Sequence, residues 1–184
     1  MNETIQNLQA ALYAYRQFIA QIDAICRNIT VAAEKAITCR SGCDHCCEAI
    51  GVLPMEAIHI ALYLDADTLP NFRQNSPNEP AWDALPKQRC PFLHRHLCRI
   101  YPARPLICRT QGLAFLVEEE GEKRLVHCPR NFQNMSHFSA SLLIDLDKMN
   151  EHLIRLNHRF LQQEVVKSLS LPERVALSAF RIPG

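Results

Sequence analysis

The string Cys39-Arg-Ser-Gly-Cys-Asp-His-Cys-Cys47 places four cysteines on one short segment of the chain. Thiolates that are two or three residues apart can turn inward on a small loop and offer their sulfurs to one metal ion. Gly42 frees the backbone for the tight turn that such a loop requires. Cys46 and Cys47 are adjacent. Because the side chains of neighbours diverge, this pair suits two neighbouring sites, a bridge between two metals, or one free thiol.

Four more cysteines follow in the middle of the chain, so the cluster has eight members. They lie in the strings CPFLHRHLCRIYPARPLICR and HCPRNF: Cys90, Cys98, Cys108 and Cys128. Eight thiols are enough for two tetrahedral four-thiolate metal sites, for two cubane iron–sulfur clusters, or for one site and a reactive thiol pair. The spacing alone leaves these arrangements open.

The ninth cysteine, Cys26, occupies an apolar position of the first predicted helix, and we interpret it as a small core hydrophobe. A disulfide framework is the alternative for the cysteines as a whole, but nine is an odd number and the Cys46-Cys47 pair has poor disulfide geometry. The first twenty residues carry Glu3 and Arg16 in a mixed polar pattern, unlike a secretory signal. We therefore expect a cytoplasmic protein with reduced thiols.

Charged and polar residues surround the sulfurs. We predict that some of the neighbouring arginines offset the charge of a metal–thiolate centre: Arg40, Arg89, Arg99, Arg109 and Arg130. Four histidines could each complete a site in place of a cysteine, although we favour solvated or supporting positions: His45, His94, His96 and His127. Arg104, between Pro102 and Pro105, is interpreted as a buried side chain that locks its loop, the alternative being a pair with an acidic residue or with a carboxylate or phosphate ligand.

Two apolar seams, with spacings of three and four residues, predict long helices on both sides of the cysteines. The first runs from Ile5 to Ala36, which predicts one helix over residues 1–38. The second runs from Leu142 to Phe160, with Ser136 or Ser139 as the candidate N-cap. We expect these two helices to pack against each other in antiparallel directions.

Shorter elements are predicted between and after the seams. Pro54 predicts the start of a helix. Residues 67–89, rich in Pro, Asn and Asp, predict a long surface loop. The stretches 113–119 and 123–127 predict a β-hairpin, and a short last helix is predicted over 173–180, after Pro172.

The predicted fold class is mainly α: a helical, bundle-like frame with a loop-rich, metal-stapled cysteine centre and a small β-hairpin. The chain has 184 residues, of which 48% are hydrophobic and 21% charged, as is typical of a globular protein. We expect a single domain over 1–184, in which 39–130 form the cysteine-cluster core and 1–38 and 137–180 supply the flanking helices.

Charge and motifs exclude several classes of function. Lys plus Arg is 20 and Asp plus Glu is 19, so a net charge of +1 gives no electrostatic case for nucleic-acid binding. Charges interrupt every apolar stretch well before about 18 residues, so we expect no membrane span. The sequence contains no Ser-His-Asp signature, Gly-rich phosphate loop or HExxH string. The expected partner is a metal ion, and the sequence identifies no protein partner.

The combined motif of Cys39, Cys43 and Cys46-Cys47, then CPFL, then C-x-IY-x-x-RP-x-x-CR, resembles the CxxCxxCC family, a YkgJ-type cysteine-cluster group of zinc- or iron-chelating domains. The resemblance covers roughly residues 39–130, with a first gap of three residues where the family name has two. It implies metal ligation by all eight clustered cysteines: Cys39, Cys43, Cys46, Cys47, Cys90, Cys98, Cys108 and Cys128. The implied metal is zinc or iron, including a 4Fe-4S cluster, because flagellin lysine methylases carry a similar cluster associated with an iron–sulfur centre.

Three functions fit these observations. The first is a metal-binding protein that holds zinc or iron through clustered thiolates. The second is an iron–sulfur-dependent enzyme with the cluster as its active centre, which requires an open coordination position or a substrate pocket beside the cluster. The third is a protein-interaction module whose loops are stabilised by zinc. Metal binding underlies all three, and the sequence leaves the reaction and substrate of an enzyme undefined.

Overall fold

A computed structural model describes residues 3–64 and 88–180. The α-helices in these ranges are α1 (Glu3–Ala11), α2 (Tyr13–Ala32), α3 (Pro54–Leu64), α4 (Leu106–Thr110), α5 (Leu146–Leu161) and α6 (Glu164–Lys167). The β-strands are β1 (Gly51–Val52), β2 (Leu93–His94), β3 (Leu97–Cys98), β4 (Ala114–Glu119), β5 (Glu122–His127), β6 (Leu143–Asp145) and β7 (Val175–Ala176). Short 3-10 turns cover Glu34–Ala36, Tyr101–Ala103, Ala140–Leu142 and Leu177–Ala179.

The first apolar seam forms α1 and α2. The two helices meet at Leu12, whose amide donates to the Leu8 carbonyl and whose carbonyl accepts from the Arg16 amide, so the helical hydrogen bonds continue across the junction. The seam is buried at most of its positions: Leu8, Leu12, Tyr15, Ile19, Ile22, Ile29 and Ala33. The prediction of helical structure along this seam is confirmed, but the single helix over residues 1–38 is wrong: two helices form, and α2 ends at Ala32.

The second seam forms α5, and the two seams pack together as predicted. The rings of Phe18 on α2 and His152 on α5 are 4.7 Å apart. The end of α2 contacts the 3-10 turn that precedes α5, and α1 contacts α6, which follows α5. These contacts require antiparallel directions.

The predicted cap of α5 is wrong. The side chain of Asp145 accepts the Lys148 amide at 3.1 Å, whereas Ser136 and Ser139 lie well before the helix. Buried residues also precede α5: Leu142 lies in a 3-10 turn and Ile144 lies in β6.

A three-stranded sheet is formed by strands on both sides of Cys128 in the sequence. The predicted hairpin is confirmed as β4 and β5, which pair from Ala114↔His127 to Glu119↔Glu122. Its two-residue turn, Glu120-Gly121, has positive φ at both positions, as a type I′ turn requires. β6 joins the other edge of β4 in a parallel register.

The mainly helical fold class is wrong, and the fold is mixed α/β. Helices account for 50% and strands for 16% of the described structure, in which the strands form three small sheets. The predicted last helix over 173–180 instead forms β7, which pairs antiparallel with β1, and a 3-10 turn. Three consecutive buried residues, Val175, Ala176 and Leu177, suit a covered strand better than one face of a helix.

The remaining predictions have different outcomes. The helix that begins at Pro54 is confirmed as α3, which is buried on nearly all sides. The loop predicted over 67–89 lies outside the described residues as far as residue 87. No helix in the described ranges has the length and apolar character needed to span a membrane.

Candidate metal centre

Two consecutive tight turns build the segment from Cys39 to Cys47. The Cys43 amide donates to the Arg40 carbonyl at 2.9 Å, and the Cys47 amide donates to the Asp44 carbonyl at 3.0 Å. Gly42 has φ of +91°, a backbone conformation that L side chains rarely adopt, which agrees with its predicted role in the turn. The turns concentrate the four thiols on one compact loop.

The first set of neighbouring thiols, called group I, comprises Cys39, Cys43, Cys46 and Cys128. Burial raises the pKa of the Cys39 thiol, a hydrogen bond from Asn131 lowers it, and the nearby Cys43 and Cys128 raise it. Burial and the adjacent Cys47 raise the pKa of Cys46, with further increases from Cys43 and Cys128. The structure thus brings Cys128 to three thiols that lie more than eighty residues earlier in the chain.

The second set, called group II, comprises Cys47, Cys90, Cys98 and Cys108. Burial raises the pKa of Cys108 to about 12, and Cys90, Cys98 and Cys47 each contribute to the increase. The pKa of Cys47 is raised by burial and then by Cys90 and Cys98. Cys98 lies on β3, which pairs with β2 in a short hairpin after Cys90. All nine cysteines of the chain are free thiols.

The thiols of each group are neighbours without forming a finished coordination shell. In residues 3–64 and 88–180, no three His, Cys, Asp or Glu side chains converge closely enough to hold a metal ion. The donor sets nevertheless fit zinc or iron, because each group supplies four soft sulfur ligands and both metals accept thiolates. A metal that binds to either group would have to draw its sulfurs inward.

Asn131 is fully buried and connects the segment of Cys128 to the segment of Cys39. Its Nδ2 donates to the sulfur of Cys39 at 3.3 Å and to the Gly112 carbonyl at 2.6 Å. Its Oδ1 accepts the backbone amide of Thr38 at 2.8 Å and the Thr38 hydroxyl at 3.0 Å. One buried carboxamide therefore positions the backbone before Cys39 and donates to its sulfur.

Gly112 packs directly against Cys39. A Cβ atom built on Gly112 would lie 2.9 Å from the sulfur of Cys39 and 3.2 Å from Nδ2 of Asn131. The φ of Gly112 is +94°, so both its conformation and its surroundings favour glycine. This close approach brings the chain that follows α4 onto the start of the cysteine loop.

Asp44 links the two cysteine strings. Its carboxylate is 8% exposed, and Oδ2 lies 2.9 Å from Nη1 of Arg89 and 3.0 Å from Nδ1 of His96. The hydrogen bond from His96 and the charge of Arg89 lower the pKa of Asp44. The backbone adds a second link, since the Cys90 amide donates to the Cys47 carbonyl at 3.1 Å.

Glu56 positions the start of α4, which carries Cys108. Its carboxylate is 4% exposed and accepts the Leu106 amide at 2.8 Å and the Leu53 amide at 3.1 Å. Burial raises the pKa of Glu56, whereas these two amides lower it. α3 and α4 are therefore tied together immediately before Cys108.

Arg89 and Arg109, which the sequence places next to clustered cysteines, each pair with a carboxylate. Arg89 pairs with Asp44, and the nearly buried Arg109 pairs with Asp23 on α2 at 2.7 Å. Arg109 also donates to the Pro102 carbonyl at 2.7 Å. Both guanidinium groups therefore connect segments that are distant in the sequence.

Arg104 lies within its own loop. Its guanidinium carbon is 3.7 Å from the centre of the Tyr101 ring, and its Nε is buried with no hydrogen-bond partner in the described part of the chain. Arg104 is half-buried and packs on Tyr101 within the segment between Cys98 and Cys108, and its role in locking that loop stays a prediction.

The histidines in the cysteine strings occupy different positions. His45 and His94 are exposed, and His96 contacts Asp44. His127 lies with Nδ1 3.0 Å from the Cys128 carbonyl and stacks on Phe138. These positions agree with solvated or supporting roles.

Sequence reasoning missed Asn131, Asp44 and Glu56. Asp44 and Asn131 stand beside clustered cysteines, but nothing in the sequence distinguishes Asn131 from the exposed Asn134 three residues later. Glu56 follows a helix-starting proline, where an acidic residue is ordinarily explained by the helix dipole. Their roles depend on partners that are distant in the sequence.

Comparison with known proteins agrees with this chemistry. Residues 38–129 match the model of the CxxCxxCC family, whose description is "Putative zinc- or iron-chelating domain". The match spans half of the chain and includes all eight clustered cysteines. Comparison with curated proteins found no match, and neither did comparison with solved structures. The chain belongs to the CxxCxxCC family, and this membership supports the binding of a metal ion.

Proposed function

We propose that this protein binds zinc or iron at two centres, one held by group I and the other by group II. The observations that carry the proposal are two contacts between distant cysteine segments: Asn131, three residues after Cys128, donates to the sulfur of Cys39, and the Cys90 amide donates to the Cys47 carbonyl. Four thiolates complete a tetrahedral zinc or iron site, so neither group needs a ligand from the other. The ligands proposed are those of the two groups as defined above.

The adjacent pair Cys46-Cys47 supports this division. Neighbouring side chains diverge, so two adjacent cysteines serve one tetrahedral ion poorly. Cys46 has Cys43 and Cys128 as neighbours and Cys47 has Cys90 and Cys98, and a hydrogen bond between the two adjacent thiols joins the groups. One residue of the pair for each centre is therefore the simplest assignment.

The same donors accept either single metal ions or iron–sulfur clusters. Zinc bound by four cysteines would stabilise the surrounding loops, whereas an iron–sulfur cluster would add electron transfer. An iron–sulfur cluster as the centre of an enzyme remains the alternative function. Both forms require reduced thiols, for which a reducing compartment such as the cytoplasm is the suitable location.

Single substitutions of the clustered cysteines by serine test the ligand assignment. A variant from group I, such as Cys43→Ser, and one from group II, such as Cys108→Ser, should each lower the bound metal per chain. Cys26→Ser is the matched control, because Cys26 lies on α2, away from both groups. Metal loss in Cys26→Ser with full retention in Cys43→Ser and Cys108→Ser would reject the assignment.

A further inference from the structure

We propose that Asp44 couples the two thiol groups, so that a metal bound at one group increases the affinity of the other. This inference rests on the proposed function, because it concerns how the two centres fill. Asp44 acts here as a positioning residue, through the segments that its carboxylate holds together.

The contacts of Asp44 connect residues of both groups. Asp44 itself lies between Cys43 and Cys46 of group I. Its two partners belong to the string of group II, since Arg89 directly precedes Cys90, and His96 lies in the turn between β2 and β3. A carboxylate that is 8% exposed and bound at Oδ2 by two side chains holds the segment around Asp44 against the segment 89–96, a contact called the Asp44 crossing.

The backbone reinforces the crossing. The amide of Cys90 donates to the Cys47 carbonyl at 3.1 Å, and the amide of Ala49 donates to the Gln88 carbonyl at 2.8 Å. An isolated antiparallel bridge also pairs Glu48 with Arg89. Residues 44–49 and 88–98 therefore form one connected unit that presents thiols to both centres.

We expect the coupling to be positive, because binding at either group orders segments that both groups use. A metal at group I would fix Cys43 and Cys46, and Cys46 lies within the turn that runs from Asp44 to Cys47 and is closed by the bond from the Cys47 amide to the Asp44 carbonyl. The segment that carries Cys90 and Cys98 would then already be oriented when the second metal binds. The conformational entropy lost on ordering this unit is lost once rather than twice, which favours the second binding step. By linkage, the effect is equal in the opposite order of filling.

Electrostatic repulsion alone would make the coupling between the two centres negative. A zinc ion with four thiolates carries a net negative charge, and two such centres repel each other. Arg89 and His96 lie largely exposed, where solvent weakens their compensation of that charge. Positive cooperativity would therefore show that ordering through the Asp44 crossing outweighs charge repulsion.

Native mass spectrometry of the metal-free full chain with one equivalent of zinc measures the coupling directly. We expect chains with no zinc and chains with two zinc ions to dominate, with a second-step affinity at least about 5-fold above its statistical value. Asp44→Asn should increase the fraction of singly loaded chains. Glu119→Gln is the matched control, because it alters a carboxylate in the exposed ion pair with Arg124 on the β4–β5 hairpin, away from the cysteines.

Arg89→Gln provides a second variant, because the Arg89 side chain is 69% exposed and its loss will not prevent folding. It should increase the singly loaded fraction in the same direction as Asp44→Asn. Without metal, both variants should also speed hydrogen exchange in residues 88–98, and the control should not.

Two results would overturn the coupling while leaving the proposed function intact. These are a wild-type protein that fills mainly through singly loaded chains, and singly loaded fractions that neither Asp44→Asn nor Arg89→Gln changes. A wild-type chain that binds no zinc or iron at all would instead reject the proposed function, and the coupling with it.

Discussion

Nδ2 of Asn131 donates a hydrogen bond to the sulfur of Cys39 at 3.3 Å, across 92 positions of the sequence. A donor on the sulfur stabilises the thiolate form that binds metal. Because the carboxamide is fully buried and also holds Thr38 and Gly112, it fixes Cys39 relative to the other thiols of group I. Asn131 is therefore a supporting residue of the proposed metal centre.

Replacing Asn131 tests this role. Asn131→Asp puts a carboxylate oxygen where the Nδ2 donor stands, so we expect metal affinity at group I to fall about 10- to 100-fold. Competition with a chromophoric chelator measures the affinity, and the sulfur-to-cobalt absorption of the cobalt-substituted protein should also change. Asn134→Asp, at an exposed position nearby, is the control. Equal affinities in the two variants would remove Asn131 from the site.

Gly112 provides a steric test of the same region. Gly112→Ala places a methyl group 2.9 Å from the sulfur of Cys39, at a φ of +94°. Gly121→Ala has a similar φ of +82° but open space around the added atom, so it isolates the backbone effect of about 1 kcal/mol. We expect Gly112→Ala to lower the free energy of unfolding by a further 1–3 kcal/mol or so, measured by urea denaturation. Equal losses in the two variants would show that the contact with Cys39 is unimportant.

The Arg109–Asp23 pair links α4, which carries Cys108, to α2. The Arg109 side chain is 3% exposed and that of Asp23 is 28% exposed, so removal of the guanidinium leaves a half-buried carboxylate and an unpaired Pro102 carbonyl. We expect Arg109→Ala to lower the free energy of unfolding by about 3 kcal/mol in the same metal state. Arg124→Ala removes an exposed ion pair and should cost less than about 1 kcal/mol. A small effect at Arg109 would mean that α2 and α4 are held by apolar packing alone.

His59 predicts how acid affects stability. Burial, with smaller effects of Arg16 and Arg109, lowers the pKa of His59 from its ordinary 6.5 to about 4 in the folded protein. Between pH 6.5 and 4, His59 is protonated in the unfolded chain but neutral in the folded chain. The free energy of unfolding therefore falls as the pH falls through this window. The loss from this residue reaches roughly 3 kcal/mol. Above pH 6.5 it contributes no pH dependence.

Urea denaturation between pH 7 and 4 measures the effect. His59→Gln should flatten the decline relative to the wild-type protein, whereas His158→Gln, at an exposed position of α5, should leave it unchanged. Parallel declines in the wild type and His59→Gln would show that other groups control the acid sensitivity.

The long helices were predictable because their apolar residues recur every three or four positions over many turns. The seam that contains Leu8, Tyr15 and Ile22 repeats over many turns, so its burial and its helical form both followed from the sequence. β6 and β7 have only three and two residues, too few for any period to appear. Their strand form depends on pairing with β4 and β1, which are distant in the sequence, and this is why the mainly helical prediction failed.

The candidate ligands were predictable as a set, but their division was not. Spacing identified the eight clustered thiols, and adjacency showed that Cys46 and Cys47 suit different sites. The partners of each depend on where tertiary packing places Cys128 and Cys108. Buried polar residues such as Asn131 and Glu56 act through distant partners, so no local pattern marks them.

The metal content of anaerobically purified full-length protein, with an absorption spectrum of the same sample, tests the central claim most directly. The account predicts about two zinc ions per chain without visible colour, or iron with sulfide and a broad band near ~400 nm. Substitution of Cys128 or Cys108 by serine should reduce that content. A chain that carries almost no metal, and takes up neither zinc nor iron when they are added under reducing conditions, would contradict it.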